Sequence, residues 1–397
     1  MAGARYAVDA HAIGRHLTGN EVYIRSLLNA FAKVDRESDF FAYYSAPGAD
    51  QSIPERFVSR RVSGNPFVRL GYGLSSRLRV DRPDLLHVQY TAPLFCPVPV
   101  IASIHDVSFL ERPEYFTAAR RRQLKFTVAR TARSAARILT GSEFSRDSIV
   151  RAYGLDPDRV VVVPDAANPF FRPLTREGAM RRVLERFRVK GPFVLSVGDL
   201  QPRKNHIGLI EAFARLVKEN PALPHELVLA GQDTWFGPRV HEAAAHSGVQ
   251  DRIRFLGFVT DDDLLQLYNA CDCFCFPSFY EGFGIPILEA MACGRAVACA
   301  NTSAMPEVAD GAGLFFDPAK PDEIARALRD ILIDPQLRQR MERLGLQRAS
   351  NFTWQRTAQK TLAVYEEVAG RTRRPTRIAP KAASAKSLST KSVKTLR

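Results

Sequence analysis

The sequence predicts an α/β protein built of two doubly wound, parallel-sheet domains in series, facing across a cleft. Three observations carry that expectation. Short apolar runs alternate with longer segments of helical period, as at 193–198, 226–231, 253–257 and 273–278. Such alternation calls for crossover helices between parallel strands. The 397 residues exceed what one hydrophobic core normally serves. A Pro-containing junction, with Pro164, Pro169 and Pro173, separates one α/β series from the next.

Composition narrows the class. Hydrophobic content of 46% and charged content of 25% are those of an ordinary globular protein. No apolar run reaches bilayer length, and the N-terminus has no signal-peptide core, so a cytoplasmic location is expected. The formal charge is +14, but residues 371–397 hold nine Lys or Arg and no acid. That segment is expected to be a disordered basic tail. The remaining body is only mildly basic, so no nucleic acid is expected as partner. Cys271, Cys273 and Cys275 alternate along one strand and read as buried thiols rather than metal ligands. No metal site is expected. Asp261-Asp262-Asp263 follows Thr260 and reads as a helix start, where acids favour the dipole.

The elements follow in order. Tyr6–Asp9 is the first strand, followed by a loop with Gly14 and Gly19 and a helix from about Asn20 to Ala32. That loop lacks the Gly-x-Gly-x-x-Gly fingerprint, which argues against a dinucleotide-dependent oxidoreductase. Phe40–Tyr44 and Arg56–Val58 are weaker strand candidates, whereas Asp84–Tyr90 and Pro99–Asp106 are strong ones. His105 and Asp106 end the latter. Residues 115–137 read as a helix, with Leu124, Val128, Thr131 and Ala135 on one face. From Ala118 to Arg137 there are seven basic residues and no acid. Two readings stay open for this face: solvation, or docking onto anionic lipid headgroups. Ile138–Thr140 is the next strand, Ser145 is taken as the N-cap of the following helix, and Val160–Val163 closes the first half. The second series begins at Phe193, and Gly198 leads into Pro202-Arg203-Lys204-Asn205 and a helix from His206. Phe352-Thr353-Trp354 opens a last helix.

The most informative stretch is Glu281–Glu289. It follows the apolar run Cys273–Ser278, turns at Gly282 and Gly284, and enters a helix with Pro286 at its start and Gly294 past its end. Glu281 thus lies beyond the carboxyl end of a strand, where open α/β sheets bind ligands. The helix start favours an anion such as phosphate. Taken alone, the two acids also fit a solvated loop acid and a helix-dipole partner.

The pattern Pro-Ser-x-x-Glu-Gly-Phe-Gly-x-Pro-x-Leu-Glu-Ala-Met-Ala-x-Gly at 277–294 resembles the retaining, nucleotide-sugar-dependent glycosyltransferases of the GT-B fold, which have two facing Rossmann-like domains. Closest in look are bacterial mannosyltransferases of polysaccharide synthesis. Supporting matches are Val197-Gly198 leading to Pro202–Asn205, Leu229-Ala230-Gly231, Ala304–Val308, His105–Phe109, Ser142–Ser145 and Gly19–Tyr23. They imply four segments: an N-terminal acceptor-side domain over 1–171, a nucleotide-sugar-binding domain over 172–350, a C-terminal helix over 351–370 packing back on the first, and the tail.

The resemblance also implies roles. Arg203 and Lys204 neutralise the departing diphosphate. Lys204 is the better match, and Arg203 has the alternative reading of a surface residue. Glu281 contacts the transferred sugar and Glu289 the ribose hydroxyls. Gly282, Phe283, Gly284 and Gly19 line the donor site, and His105 reaches it from the facing domain. Retention leaves the departing phosphate to take the acceptor proton, so neither a strong base nor a metal or other cofactor is required. The implied partners are a nucleotide sugar, with GDP-mannose favoured and UDP-glucose or another donor left open, and a glycan or lipid-linked acceptor. Peripheral contact with an anionic membrane is a separate reading, carried by the basic 118–137 helix and the basic tail. Two departures from the family pattern stand out: Asp165-Ala166 where many members have Asn-Gly, and Asp199 where many have Arg. The second removes a phosphate contact. A non-catalytic sugar-binding protein on the same fold is the remaining rival, and it would be expected to lack Glu281, Lys204 or His105.

Overall fold

The computed structural model describes residues 3–15 and 18–370. Residues 371–397, expected as the basic tail, lie outside the described residues. Two all-parallel sheets form the framework. The first holds β1 (Arg5–Asp9), β2 (Asp39–Tyr44), β3 (Val58–Arg61), β4 (Leu85–Gln89), β5 (Val100–Ser103), β6 (Arg137–Thr140) and β7 (Val160–Val162), in the order β3-β2-β1-β4-β5-β6-β7. The second holds β8 (Phe193–Val197), β9 (Glu226–Ala230), β10 (Ile253–Gly257), β11 (Cys273–Phe276), β12 (Ala296–Ala300) and β13 (Gly313–Phe316), in the order β10-β9-β8-β11-β12-β13. Each sheet starts at its centre, winds to one edge, then returns to wind to the other. The strand order therefore reverses between β1 and β4 and again between β8 and β11. In open α/β sheets, ligands bind beyond the carboxyl ends of such strand pairs.

The central strands are continuous apolar runs because helices cover both faces. Cys273, Phe274, Cys275 and Phe276 are all buried, as is every residue of β12. The three alternating cysteines are free thiols. Asp261–Asp263 form the first turn of the helix Asp261–Ala270, capped by the Thr260 side chain, which accepts from Asp263 N at 3.2 Å.

The link between the sheets belongs to the second from about residue 172. Asn269 of the second half accepts from Leu174 N at 2.7 Å and donates to Arg172 O at 3.0 Å. The chain then returns. The helix Trp354–Val368 packs on the first sheet, burying Trp354, Ala358, Leu362 and Tyr365 beside Tyr6, Ile24 and Phe31. Thr357 Oγ1 donates to Pro164 O at 2.7 Å. Inside this seam runs a buried polar chain. Tyr365 OH meets His87 Nδ1 at 2.6 Å, His87 Nε2 meets Ser103 Oγ at 2.7 Å, and Ser103 Oγ meets Tyr23 OH at 2.8 Å. Burial holds His87 neutral, its pKa lowered to about 3.

Four local expectations need correction. Arg56-Phe57 is a turn closed by Phe57 N on Pro54 O, and the edge strand starts at Val58. The helix expected over 115–137 runs from Ala118 to Ser134, because Thr117 caps it and Ala135 is extended. The strand expected over Pro99–Asp106 ends at Ser103, leaving His105 and Asp106 in the following loop. The N-cap of the helix Glu143–Tyr153 is Ser142, in extended conformation and accepting from Ser145 N at 3.1 Å. Ser145, expected as the cap, sits inside the helix and points its hydroxyl at the other half of the protein.

The substitution Tyr365→Phe tests the return helix. It leaves His87 Nδ1 unpaired in an apolar seam and is expected to cost about 1–3 kcal/mol in urea unfolding. An unchanged midpoint and slope would remove this chain from the stability of the seam.

Candidate active site

Two loops converge at the reversal point of the second sheet. After β8 the chain turns through the short helical turn Pro202–Lys204 to Asn205, which is left-handed with φ of 55° and anchored by Nδ2 to Pro318 O at 2.7 Å. After β11 the chain runs to Glu281, whose backbone N–H donates to Ser303 Oγ at 2.9 Å. The backbones are stitched by Phe279 N on Arg203 O at 2.8 Å and by Arg203 Nη1 on Tyr280 O at 3.2 Å.

Those anchors bring three charges together. Arg203 Nη1 lies 2.7 Å from Glu281 Oε2. Lys204 Nζ lies 2.7 Å from Glu281 Oε1. Lys204 Nζ also sits 4.7 Å from the centre of the Phe276 ring. The Arg203 side chain is only 25% exposed, so it is not a surface residue. Burial alone would raise the Glu281 carboxyl, but the Arg203 and Lys204 cations outweigh it and hold the group at about 2. Burial pushes the Lys204 ammonium down, and Glu281 opposes that shift. At contact distance two cations face one carboxylate, which leaves one positive charge in excess. Asp106 acts on Arg203, and Asp199 on Lys204, from farther away. Asp199 itself is committed to Gln232 N at 3.1 Å.

Glu289 occupies a different environment. It lies within the helix Ile285–Ala292, buried, and accepts from Tyr268 OH at 2.9 Å. Burial raises its pKa to about 7, the Tyr268 hydrogen bond opposes that rise, and Asp261 adds to it. The helix begins after Gly284, whose φ of 105° suits glycine, and carries Pro286 in its first turn.

His105 lies in the loop after β5 of the first sheet, with its carbonyl against Gly282. Its ring lies edge-on to Tyr23 at 4.6 Å and near Tyr90 at 5.7 Å. Gln89 fixes its tautomer. Gln89 Nε2 donates to Asn20 O at 3.2 Å, which leaves Oε1 to accept from His105 Nε2 at 3.2 Å. Nδ1 is then the acceptor. Burial lowers the His105 pKa to about 4 and Asp106 opposes it, so the ring is neutral at pH 7.

The two halves touch at Gly282. A Cβ there would stand 2.2 Å from His105 O, so only glycine permits the approach. Gly282 O accepts from Ser142 Oγ at 2.7 Å and Ser145 Oγ at 2.9 Å. The Phe283 ring packs on Gly141, where an added Cβ would lie 3.2 Å away. Glu307 caps the helix Glu143–Tyr153 from the opposite half, accepting from Glu143 N at 3.0 Å and Phe144 N at 3.3 Å. Tyr280 OH donates to Glu111 Oε2 at 2.9 Å.

Of the residues singled out in the sequence, Arg203, Lys204 and Glu281 form one cluster. His105 meets Gly282 through its backbone, and Glu289 and Gly284 belong to the adjoining helix. Gly19 is exposed in the first turn of the helix Thr18–Val34, with open space where a Cβ would stand. It joins the site only through its neighbour Asn20 and Gln89. Gln89, Tyr268, Ser303 and Glu111 were not anticipated as site residues. They act through contacts between distant segments, which no local spacing announces.

Comparison with known proteins identifies the family. The family model "Glycosyl transferases group 1" matches residues 182–348, and "Glycosyltransferase Family 4" matches 17–169. O-antigen chain mannosyltransferase B of Escherichia coli is 34% identical over 267 residues, covering 67% of this chain and 70% of that protein. D-inositol 3-phosphate glycosyltransferase of Streptomyces bingchenggensis is 29% identical over 390 residues, covering 88% and 84%. Among solved structures, Anabaena HepE in complex with UDP and glucose superposes with a TM-score of 0.74 at 20% identity, over 92% of this chain and 100% of that one. Sucrose-phosphate synthase from Thermosynechococcus elongatus gives 0.75 at 19% identity, over 92% and 99%. Two parallel-sheet domains, the charge cluster between them and these likenesses lead to one assignment: the chain belongs to the group 1 glycosyl transferases, GT-B enzymes that transfer a sugar from a nucleotide sugar.

Proposed function

We propose that this enzyme is a retaining hexosyltransferase. It moves a hexose, with mannose favoured, from a nucleotide diphosphate sugar to a glycan or lipid-linked acceptor, in the cytoplasm and without a metal ion or other cofactor. The observation that carries the reading is Glu281 held between Arg203 and Lys204 at the carboxyl ends of β8 and β11. The excess positive charge suits a diphosphate whose negative charge grows as the sugar leaves. Phosphate oxygens also meet the start of the helix Ile285–Ala292 and the amides of Phe283 and Gly284. Glu281, ionised, faces the sugar and stabilises positive charge developing at its anomeric carbon. Departure and attack on one sugar face let the leaving phosphate take the acceptor proton. Neutral His105 offers Nδ1 as acceptor to a sugar hydroxyl. Glu289 takes hydrogen bonds from the ribose.

Mannose is favoured by the likeness to the Escherichia coli mannosyltransferase. A second reading is UDP-glucose or another donor, since the Streptomyces relative, which spans 88% of this chain, is named as a D-inositol 3-phosphate glycosyltransferase and not as a mannosyltransferase.

Nucleotide release measured over a panel of donors tests the donor reading, with GDP-mannose expected to be fastest. Glu281→Gln and Lys204→Ala are each expected to cut that turnover by about 100-fold or more while circular dichroism stays native. Near-normal transfer by both variants would sink the assignment.

Glu289 generates a pH prediction. Its unfolded carboxyl titrates at 4.5 and its folded one at about 7. A raised pKa contributes stability in full below 4.5, and that contribution is lost as pH rises through 7. Relative to the wild type, Glu289→Gln is therefore expected to gain stability between pH 5 and 8, on the order of 3 kcal/mol at most. Nucleotide protection against melting is expected to strengthen over the same interval in the wild type, since ribose hydroxyls bond the ionised form, and to be flat in the variant. Parallel pH curves for the two proteins would contradict both statements.

A further inference from the structure

The chain passes between the two halves twice, and a hollow lies where the two passages meet. The outward passage brings Asn168 to it, and the return brings Trp354 and Gln355. The helix Thr18–Val34 adds Arg25 and Lys33, eight residues apart on one face. The hollow holds about 220 Å³. Pockets for cofactor-sized ligands run to about 300–1,000 Å³, so this one suits a small ligand and is too small for a nucleotide.

Its lining says what kind of ligand. None of the lining residues is acidic. Trp354 is 4% exposed, and its indole Nε1, which can only donate, has no hydrogen-bond partner among the described residues. Buried indole N–H groups normally find one. Asn168 Oδ1 accepts from Phe170 N at 3.0 Å, which leaves the amide nitrogen to donate. Lys33 is exposed and has no ion-pair partner among the described residues. Arg25 is paired across the halves with Asp261, Nη2 to Oδ2 at 3.3 Å, and both side chains are partly exposed. Such a pair contributes little and yields to a competing anion. Trp354 and Gln355 also open the helix Trp354–Val368, whose first amides carry partial positive charge. A water molecule would satisfy the indole but leave the cations unanswered. An oxyanion answers both.

We propose that this hollow is a second anion site, which takes a phosphate-class oxyanion on Arg25, Lys33, Asn168 and Trp354, apart from the Arg203–Lys204 cluster. On binding, Arg25 exchanges Asp261 of the other half for the ligand. The Trp354 ring lies 6.0 Å from Tyr23, which packs on His105, so the site stands two rings from that histidine. It shares no residue with the donor cluster and stands if the donor reading fails.

Tryptophan emission tests it. The chain has two tryptophans, Trp235 and Trp354. Trp235 is 64% exposed, and Trp235→Phe leaves Trp354 as the only reporter. Inorganic phosphate, titrated into that variant of the full chain at fixed ionic strength, is expected to change the emission saturably. Adding Arg25→Gln/Lys33→Gln is expected to weaken phosphate binding about tenfold or more. Adding Asp261→Asn is expected to tighten it roughly two- to fivefold, because Arg25 loses its competing partner. Adding Lys204→Met is expected to leave it unchanged. No saturable response in Trp235→Phe would overturn the proposal. So would a response that survives Arg25→Gln/Lys33→Gln and disappears in Lys204→Met, which would assign the anion to the donor cluster. Unchanged affinity in Asp261→Asn would overturn the exchange of partners at Arg25.

Discussion

A buried carboxylate shared by two cations holds this site together. Burying Arg203 or Lys204 unpaired would cost several kcal/mol in lost hydration. Glu281 offsets that cost while no donor is bound, and it keeps the arginine and lysine from separating. The same contact holds Glu281 ionised, its pKa at about 2. The cluster also sets two positive charges against one negative charge at contact distance. A site with that balance is stable when empty and still attracts an anion. Asp199, at the position where the family often has arginine, lowers the surplus from farther away and is occupied with Gln232 N. On the proposed reading, the phosphate role therefore falls to Arg203 and Lys204.

The second constraint is the seam between the halves. Gly282 follows Glu281 directly, and its carbonyl is held by Ser142 and Ser145 of the facing domain. Glu307 caps the helix that those serines begin. The loop that carries Glu281 is thus also the loop that meets His105. The buried chain from Tyr365 through His87 and Ser103 to Tyr23 ends at the ring that packs on His105. The return helix is in this way mechanically continuous with the histidine side of the cleft.

Much of this was legible from sequence, for local reasons. A strand, a glycine turn and a Pro-started helix fix where Glu281 and Glu289 stand, because each step is decided within a few residues. The same holds for Pro202–Asn205. What stayed hidden depends on distant segments. Both serines of Ser142–Ser145 satisfy capping chemistry, and only the contact with Gly282 explains why Ser142 takes the cap while Ser145 spans the seam. Gln89 reads as one more strand residue until β4 and β5 are side by side. Tyr268 reads as core until Glu289 is beside it. Val58–Arg61 is an edge strand with exposed arginines, so its apolar signal is weak and displaced onto Phe57. The elements β13 and Pro321–Ile333 were not singled out, although Pro321 with Asp322 and Glu323 is a readable helix start.

The central claim is that Arg203 and Lys204 belong to the leaving nucleotide and that Glu281 only offsets part of their charge while it is away. Titration calorimetry of a nucleoside diphosphate into the wild type, Lys204→Met and Glu281→Gln at neutral pH tests it most directly. The account expects Lys204→Met to bind about tenfold or more weakly. It expects Glu281→Gln to bind as tightly as the wild type or tighter, because a repelling charge is gone while both cations remain. Equal weakening in the two variants, or unchanged affinity in Lys204→Met, would contradict it.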